Sequence, residues 1–558
     1  MGGGVFSRSA KTILLSEPVQ RSLAIHSASL TPNELIQAIL KAPVDLIWNG
    51  GIGTFVKASF ESHRDVGDRT NDGLRINATE LRAKVIGEGG NLGLTANGRI
   101  EYALAGGRIN TDFIDNSGGV DCSDHEVNIK ILMQEALNEG AFNEKQRNTL
   151  LAEMENEVAE LVLHNNYQQT QAISLVQRSA YSQLDEHCRF VAALERSGRL
   201  DRLTWNLPSN AEINRRRTLS LGLTRPELAI LLSYSKIDLF DALISSDICA
   251  EAYLSRELDN YFPRPMRDHF AARLPSHRLR NEIIATFVTN NFINRMGPTF
   301  PHRIMEHTGA KPADITRAYI AARDVFAIPT LWQTIESLDN QIAATLQLDM
   351  LIESNKLISR ATLWFLRNRK QPLDISAAVN DFQAGVQTLR TALSELLDAH
   401  QHQQLTLRRD YYTQQGVTTT LAQEVALLPL LFLALDITEV AATLGREVSG
   451  VGKLYFHLGA LLDLHWVRDR ITALPEESHW PTLARAALRD DLLRLQRTLT
   501  REALLQSGDR DLSPTAILDH WSANNQITVE RYLQHLSEFK ASELPANWCR
   551  PPDARKSA

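Results

Sequence analysis

The sequence predicts an α/β segment followed by a mainly α-helical region, and three observations predict it. Glycine, asparagine and acidic residues concentrate between short apolar runs in Lys84–Lys130, KVIGEGGNLGLTANGRIEYALAGGRINTDFIDNSGGVDCSDHEVNIK. That stretch reads as strand, turn, helix, strand, turn, helix, the order in which a parallel sheet presents backbone amides to a ligand. From about Asn143 onward strand signals vanish and apolar residues recur at helical spacing, as in Leu150, Met154, Val158, Leu161 and Val162. No fixed repeat marks a solenoid.

Taken in order, Thr31-Pro32-Asn33-Glu34 joins an N-cap, a proline at the first helical position and a capping-box glutamate, so a helix should run to about Lys41. Val44–Trp48 is a short apolar strand that ends in Asn49-Gly50-Gly51-Ile52-Gly53-Thr54, a turn open to close approach by a ligand. Ser59–Asn77 is polar and reads as a surface loop or lid. Ala83–Ile86 should be a buried strand, Gly87–Gly93 a turn and Arg99–Leu104 a helix ended by Gly106 and Gly107. A second strand is expected around Phe113 and Ile114, then a turn at Asn116–Gly119. The next helix should start near Ser123, with Ser123 as N-cap and Glu126 closing a capping box. Further helix starts are expected at Thr224–Glu227, Pro312–Asp314 and Thr420–Gln423. Breaks are expected at Pro208, Pro263, Pro265, Pro298, Pro329, Pro372 and Pro475, and a subdivision near Leu427–Pro429. The expected domains are 1–142 (partial α/β), 143–427 and 428–545 (both helical), and a frayed tail 546–558.

At 558 residues the chain is too long for one core. A net charge of -7 leaves no basic surplus for a run of phosphates, which argues against nucleic acid as a partner. Cys122, Cys188, Cys249 and Cys549 lie far apart without CxxC spacing and fit reduced thiols. With neither a signal-peptide core nor an apolar run long enough to span a bilayer, no membrane partner is expected and the location should be cytoplasmic.

Gly87-x-Gly89-x-x-x-Gly93 after a strand is close to a dinucleotide fingerprint, with Asp112 and Asp115 at the distance of a ribose-reading acid. Leu92 stands where the strict pattern needs its third glycine, and a ligand-free glycine turn explains the motif equally well. Asn116 could donate to a ribose hydroxyl or a carboxamide. Cys122, Asp124, His125 and Glu126 hold too few borderline-soft ligands for zinc, so no metal is expected. His457 and His465 read as core or surface histidines, and Arg215–Arg217 and Arg367–Lys370 as solvated faces.

VDLIWNGGIGTFVKA, LRAKVIGEGGNLGLT and FIDNSGGVDCSDHEVNIKIL closely resemble the large bacterial NAD-specific glutamate dehydrogenases. GLTRPELAILLSYSKI and HRLRNEIIATFVTNNFINRMGPTF resemble the same family's helical C-terminal region. The resemblance implies an incomplete Rossmann-like parallel sheet, NAD as cofactor, and oxidative deamination of L-glutamate to 2-oxoglutarate and ammonium. It implies that Asn49, Gly50 and Gly51 line the coenzyme through their backbone, and that Asn91 and Asn116 bond the nicotinamide ribose or carboxamide. Glu88, Gly89, Gly118 and Gly119 would shape the two turns, and Ser123 would help to hold glutamate. The complete enzyme is expected to be a homo-oligomer.

The family's catalytic lysine and aspartate and its first glycine-rich turn have no counterpart in this sequence. The expectation is therefore a C-terminal portion with no catalytic residue of its own and no activity alone, whose sheet has an open edge and an exposed apolar face. Two other readings stay open: a non-catalytic helical interaction or regulatory module with a residual nucleotide site, and an independent oxidoreductase.

Overall fold

A computed structural model describes residues 4–140, 143–474, 479–508 and 512–542. The α/β-then-helical order is the one expected. The chain forms two compact units, Met1–Arg303 and Ile304–Ala558.

The first unit is built on a parallel sheet of β1 (Leu46–Asn49), β2 (Val85–Glu88) and β3 (Arg108–Ile109), in that spatial order. Register pairs Leu46 with Val85, Asn49 with Glu88, and Ile86 with Ile109. One face packs on Val56, Ile76, Leu94 and Tyr102. The other is bare: Leu46 is 55% exposed and Trp48 61%. Parallel sheets are ordinarily covered on both faces, so β1 is an apolar edge without a cover in this chain. Before β1, α1 (Pro32–Leu40) starts from the expected capping box, with Thr31 N–H donating to Glu34 at 2.8 Å.

After β2 comes α2 (Ala96–Leu104), capped by the Thr95 hydroxyl. Its Tyr102 hydroxyl donates to the Ala83 carbonyl at 2.6 Å, clamping the helix to the sheet. Three expectations fail in the next stretch. The third strand is Arg108–Ile109, and Phe113 and Ile114 lie instead in a single helical turn, Asp112–Asp115. Asp112 and Asp115 both bond backbone N–H groups of the β2 turn, which favours a turn over an extended chain there. Asn116–Gly119 is not a free turn: α3 (Ser117–Asn138) has already begun, and Gly118 and Gly119 sit in its first turn. Glycine is tolerated there because the first N–H groups lack helical acceptors in any case. Ser123 is therefore no N-cap. It lies in the second turn, with its hydroxyl donating to the Gly119 carbonyl, and Glu126 pairs with Lys130.

The polar segment 59–77 is folded down rather than loose. It holds a helical turn, His63–Val66, and a strand, Ile76–Asn77, paired with Val56–Lys57. The Arg75 guanidinium, fully covered, donates to the carbonyls of Thr54 and Asp68 and to Asp72.

The 35-residue α4 (Glu144–Arg178) starts where strand signals stop, and packs on α3 with α5 (Arg225–Ile244) and α6 (Arg280–Met296). Arg216 corrects another expectation: in place of a solvated face it is buried, bidentate to buried Glu227 at 2.6 and 2.8 Å. Glu227 also closes the capping box of α5 from Thr224, so one carboxylate serves helix start and core pair together.

The second unit is all-helical among its described residues. Pro429 lies inside Thr419–Leu431, so the subdivision expected at 427 falls within a helix. That helix and Ala434–Leu444 meet at a 62° bend. Arg367 and Arg369, expected as solvated, pair with Asp490 and Glu439. Among the described residues no single helix is long and apolar enough to cross a membrane, and Cys122, Cys188 and Cys249 are free thiols. Pro475, Cys549 and the tail 546–558 lie outside the described residues.

Candidate functional site

Parallel strands deliver their carboxyl ends to one edge, and the turns that follow them converge there. Three turns do so here: Asn49–Gly53 after β1, Gly89–Leu94 after β2, and Asn110–Asn116 after β3.

The first two turns touch through backbone. Gly90 N–H donates to the Asn49 carbonyl at 2.9 Å, and a Cβ on Gly90 would lie 2.6 Å from the Gly51 carbonyl oxygen. A Cβ on Gly87 or Gly89 would collide with the Trp48 ring, which lies across both. The glycines therefore let β1 and its turn lie close over the β2 turn. Leu92, at the third-glycine position of the fingerprint, is left-handed with φ +59°. Its N–H donates to Asp112 at 2.8 Å, and such anchoring offsets the roughly 1–2 kcal/mol that a side chain costs in that conformation.

Behind the turn lies a buried charge network. Glu88 is fully buried and takes Arg99 bidentately at 2.6 and 3.0 Å, and also accepts from Leu94 N–H at 3.0 Å. Arg99 reaches Asp112 at 3.2 Å. Burial pushes the Glu88 carboxyl up, against the pull of Arg99. Asp115 accepts from Glu88 N–H and from Asn110, so the second turn is tied to the third. Glu88, Asp112 and Asp115 are thus spent on shaping the turns.

Two asparagines face outward from this frame. Asn116 Nδ2 donates to Asn91 Oδ1, joining the second and third turns at the surface. Asn49 has a buried Nδ2 with no hydrogen-bond partner, while Gly50 and Gly51 are exposed. Ser123, Gly118 and Gly119 sit on the first two turns of α3. Asn116, the N-cap of α3, makes no side-chain capping bond, and its carbonyl accepts from Gly119 N–H at 3.3 Å. The structure brings Asn49, Gly89, Asn91 and Asn116 to one edge. Ser123 stands on an exposed stripe of α3 next to it.

The family model for the C-terminal region of glutamate dehydrogenase matches residues 220–546. The chain belongs to that glutamate dehydrogenase family. A second family model, the catalytic domain of bacterial NAD-glutamate dehydrogenase, matches residues 1–176, the α/β part and its first long helix. The chain is 46% identical over 97% of its length to a protein of Pseudomonas aeruginosa named NAD-specific glutamate dehydrogenase, and covers 33% of that protein. Like-named proteins of Halomonas elongata and Mycobacterium tuberculosis are 41% and 38% identical over 96% and 97% of the chain, which covers 33% and 34% of them. The chain thus spans about a third of the length of the curated relatives it matches.

In this chain the helices add residues that sequence reasoning passed over. Asn91 and Asn116 line one wall of a cavity of about 1120 Å³, whose helical walls include Asp121, Gln169, Lys236 and Asn294. Lys236 is the one basic residue in the mainly apolar run LAILLSYSKIDLF, the signal that could have flagged it. Asp124 accepts from the Tyr261 hydroxyl, and His125 stacks on that ring at 4.4 Å, with burial pushing its pKa down. Among the described residues no group of three His, Cys, Asp or Glu side chains could hold a metal.

Proposed function

We propose that this chain forms the nicotinamide-side half of a coenzyme site in an enzyme that oxidises L-glutamate with NAD to 2-oxoglutarate and ammonium. The observation that carries the reading is the convergence of Asn49, Asn91 and Asn116 at the carboxyl edge of a parallel sheet, over a glycine cradle. The exposed Gly50, Gly51 and Gly89 and the surface Asn91–Asn116 pair suit a carboxamide and ribose, which are polar and carry both donors and acceptors. NAD, when bound, supplies the hydride acceptor.

In this reading Asn91 and Asn116 orient the nicotinamide end, and their mutual bond holds both side chains ready. Glu88, Gly89, Gly118 and Gly119 set the backbone under them. Ser123, one turn into α3, helps to hold the glutamate carboxylate near the positive helix end. Within the α/β part, Lys57 bonds Asn77 and the Ala58 carbonyl, and Lys84 pairs with Asp45. The chain alone should therefore bind the coenzyme without turnover. We extend the proposal to a cytoplasmic homo-oligomer for the complete enzyme, which sedimentation velocity would check.

Titration of NADH fluorescence against the chain should show saturable binding that weakens in Asn116→Ala. No saturation would refute the coenzyme reading, and NADH formation from glutamate and NAD by the chain alone would refute its incompleteness.

A further inference from the structure

The second unit gathers arginines from four helices around one guanidinium. Arg360 and Arg367 lie seven residues apart on α7 (Ala344–Asn368), which puts them on one face of it. α8 (Ala399–Gln414) adds Arg408, and α9 (Leu464–Thr472) adds Arg468. Arg485 and Arg489 lie one turn apart on α10 (His479–Ser507). α7 and α10 are tied together where Arg367 pairs with Asp490, and where Arg497 donates to the Asn368 side chain at 2.8 Å. Arg360 lies within electrostatic reach of Arg408, Arg468, Arg485 and Arg489.

Like charges crowded in this way repel unless acids match them. Here the match falls short. Asp490 is shared by Arg367 and Arg489, and Glu353, the acid that acts on Arg360, is already paired with Lys356 at 2.6 Å. Arg485 donates to the carbonyls of Thr472 and Leu474 at 3.0 and 3.4 Å. Arg468 donates to Gln496 at 3.3 Å and keeps a buried Nε without a hydrogen-bond partner. Among the described residues Arg360 forms neither a hydrogen bond nor an ion pair. It is half-buried, and its guanidinium nitrogens still touch solvent, so a solute can reach them. Burial, together with the neighbouring arginines, pushes Arg489 down to about 10 and lowers Arg360 as well, there against the pull of Glu353.

The amount of charge and its spread select the occupant. A lone carboxylate brings one negative charge, too little for this many guanidiniums. Phosphoryl oxygens accept from the planar guanidinium fork two at a time, and each phosphoryl group carries more charge than a carboxylate. Seven residues of helix span about 10 Å, so the row on α7 is longer than a single phosphate. We propose that this arginine cluster binds a small anion carrying a diphosphate group, with Arg360 at the centre and Arg485 and Arg489 gripping it from α10. The site belongs to the second unit and does not depend on the coenzyme reading.

Calorimetric titration of the full chain with inorganic pyrophosphate, at constant ionic strength, tests the proposal. Pyrophosphate should saturate at one site per chain and bind at least about tenfold tighter than phosphate or sulfate, which engage fewer arginines. Arg360→Met and Arg489→Met should each weaken it at least about tenfold, the loss of one charge-assisted contact. Both variants should melt cooperatively at or above the parent's temperature, because each removes a crowded charge, and either one suffices if the other does not fold. Phenyl diphosphate separates the two sources of the group. Tighter binding than pyrophosphate would identify an esterified diphosphate as the ligand, and equal or weaker binding the free diphosphate. Absence of saturation, parent-like affinity in the folded variants, or loss of binding in Asn116→Ala instead, which would put the diphosphate at the sheet edge, would overturn the proposal.

Discussion

The carboxyl edge of the sheet forms one wall of a cavity whose other walls are helices, and the two parts are made differently. At the edge the contacts are local: Glu88 with Arg99, Leu92 with Asp112, and Gly90 with Asn49 and Gly51. In the cavity the partners come from four helices, with Asp121, Gln169, Lys236 and Asn294 scattered over more than a third of the first unit. The edge satisfies its polar groups within itself and offers backbone outward. The cavity leaves Lys236, Asp121 and Asn294 incompletely matched. A surface shaped by backbone tolerates side-chain changes at its rim but not at its buried anchors. A cavity shaped by side chains should behave in the opposite way.

Glu88→Ala should produce the largest effect. It leaves Arg99 charged and buried with only Asp112, and breaking a buried pair in this way costs about 3–5 kcal/mol. Urea denaturation would read it, and a loss under about 1 kcal/mol would mean that the edge does not depend on its anchor. Gly90→Ala comes next. Its Cβ would press on the Gly51 carbonyl and force the two turns apart, costing about 1–3 kcal/mol and weakening NADH. Unchanged NADH affinity there would show that the approach of the turns is not part of the site.

Lys236→Met should act with the opposite sign. The lysine titrates near 7 when folded and near 10.4 when unfolded, so between these values the unfolded chain binds more protons and stability rises with pH. Below about pH 7 the full penalty is present, and above about 10.4 none remains. The methionine variant should therefore be more stable than the parent at pH 7, by about 1–2 kcal/mol after allowance for solvent in the cavity, with the gain shrinking toward alkaline pH. A parent whose stability is flat over that range would show that Lys236 is better solvated than its surroundings indicate. Asn116→Ala should have the smallest effect, about 1 kcal/mol in NADH binding, with a melting temperature close to the parent.

The helix starts at Thr31 and Thr224 were readable because a capping box is a local code whose residues sit three apart. The strands at Leu46 and Val85 were readable within a residue or two because a short apolar run precedes a glycine turn in each. Phe113 and Ile114 misled because an apolar pair suits a strand or a helical turn equally, and the deciding bonds run from Asp112 and Asp115 to Leu92 and Glu88. Ser123 misled because Ser-x-x-Glu has the same spacing inside a helix as at its start. Arg216 looked solvated as one of three arginines, and only its fold-back onto Glu227 buries it.

The sequence by itself determined the division into an α/β part and a helical part, the family, and the edge where the glycine turns meet. Periodicity, caps and turn glycines act within a few residues, so they survive in one dimension. The tertiary structure alone decided where α3 begins, which acids anchor the β2 turn, and that Asp121 faces Lys236 across a cavity. Those facts depend on burial and on partners from about twenty to more than a hundred residues apart, and a side chain's charge and hydrogen bonds take their energies from what the fold places beside it.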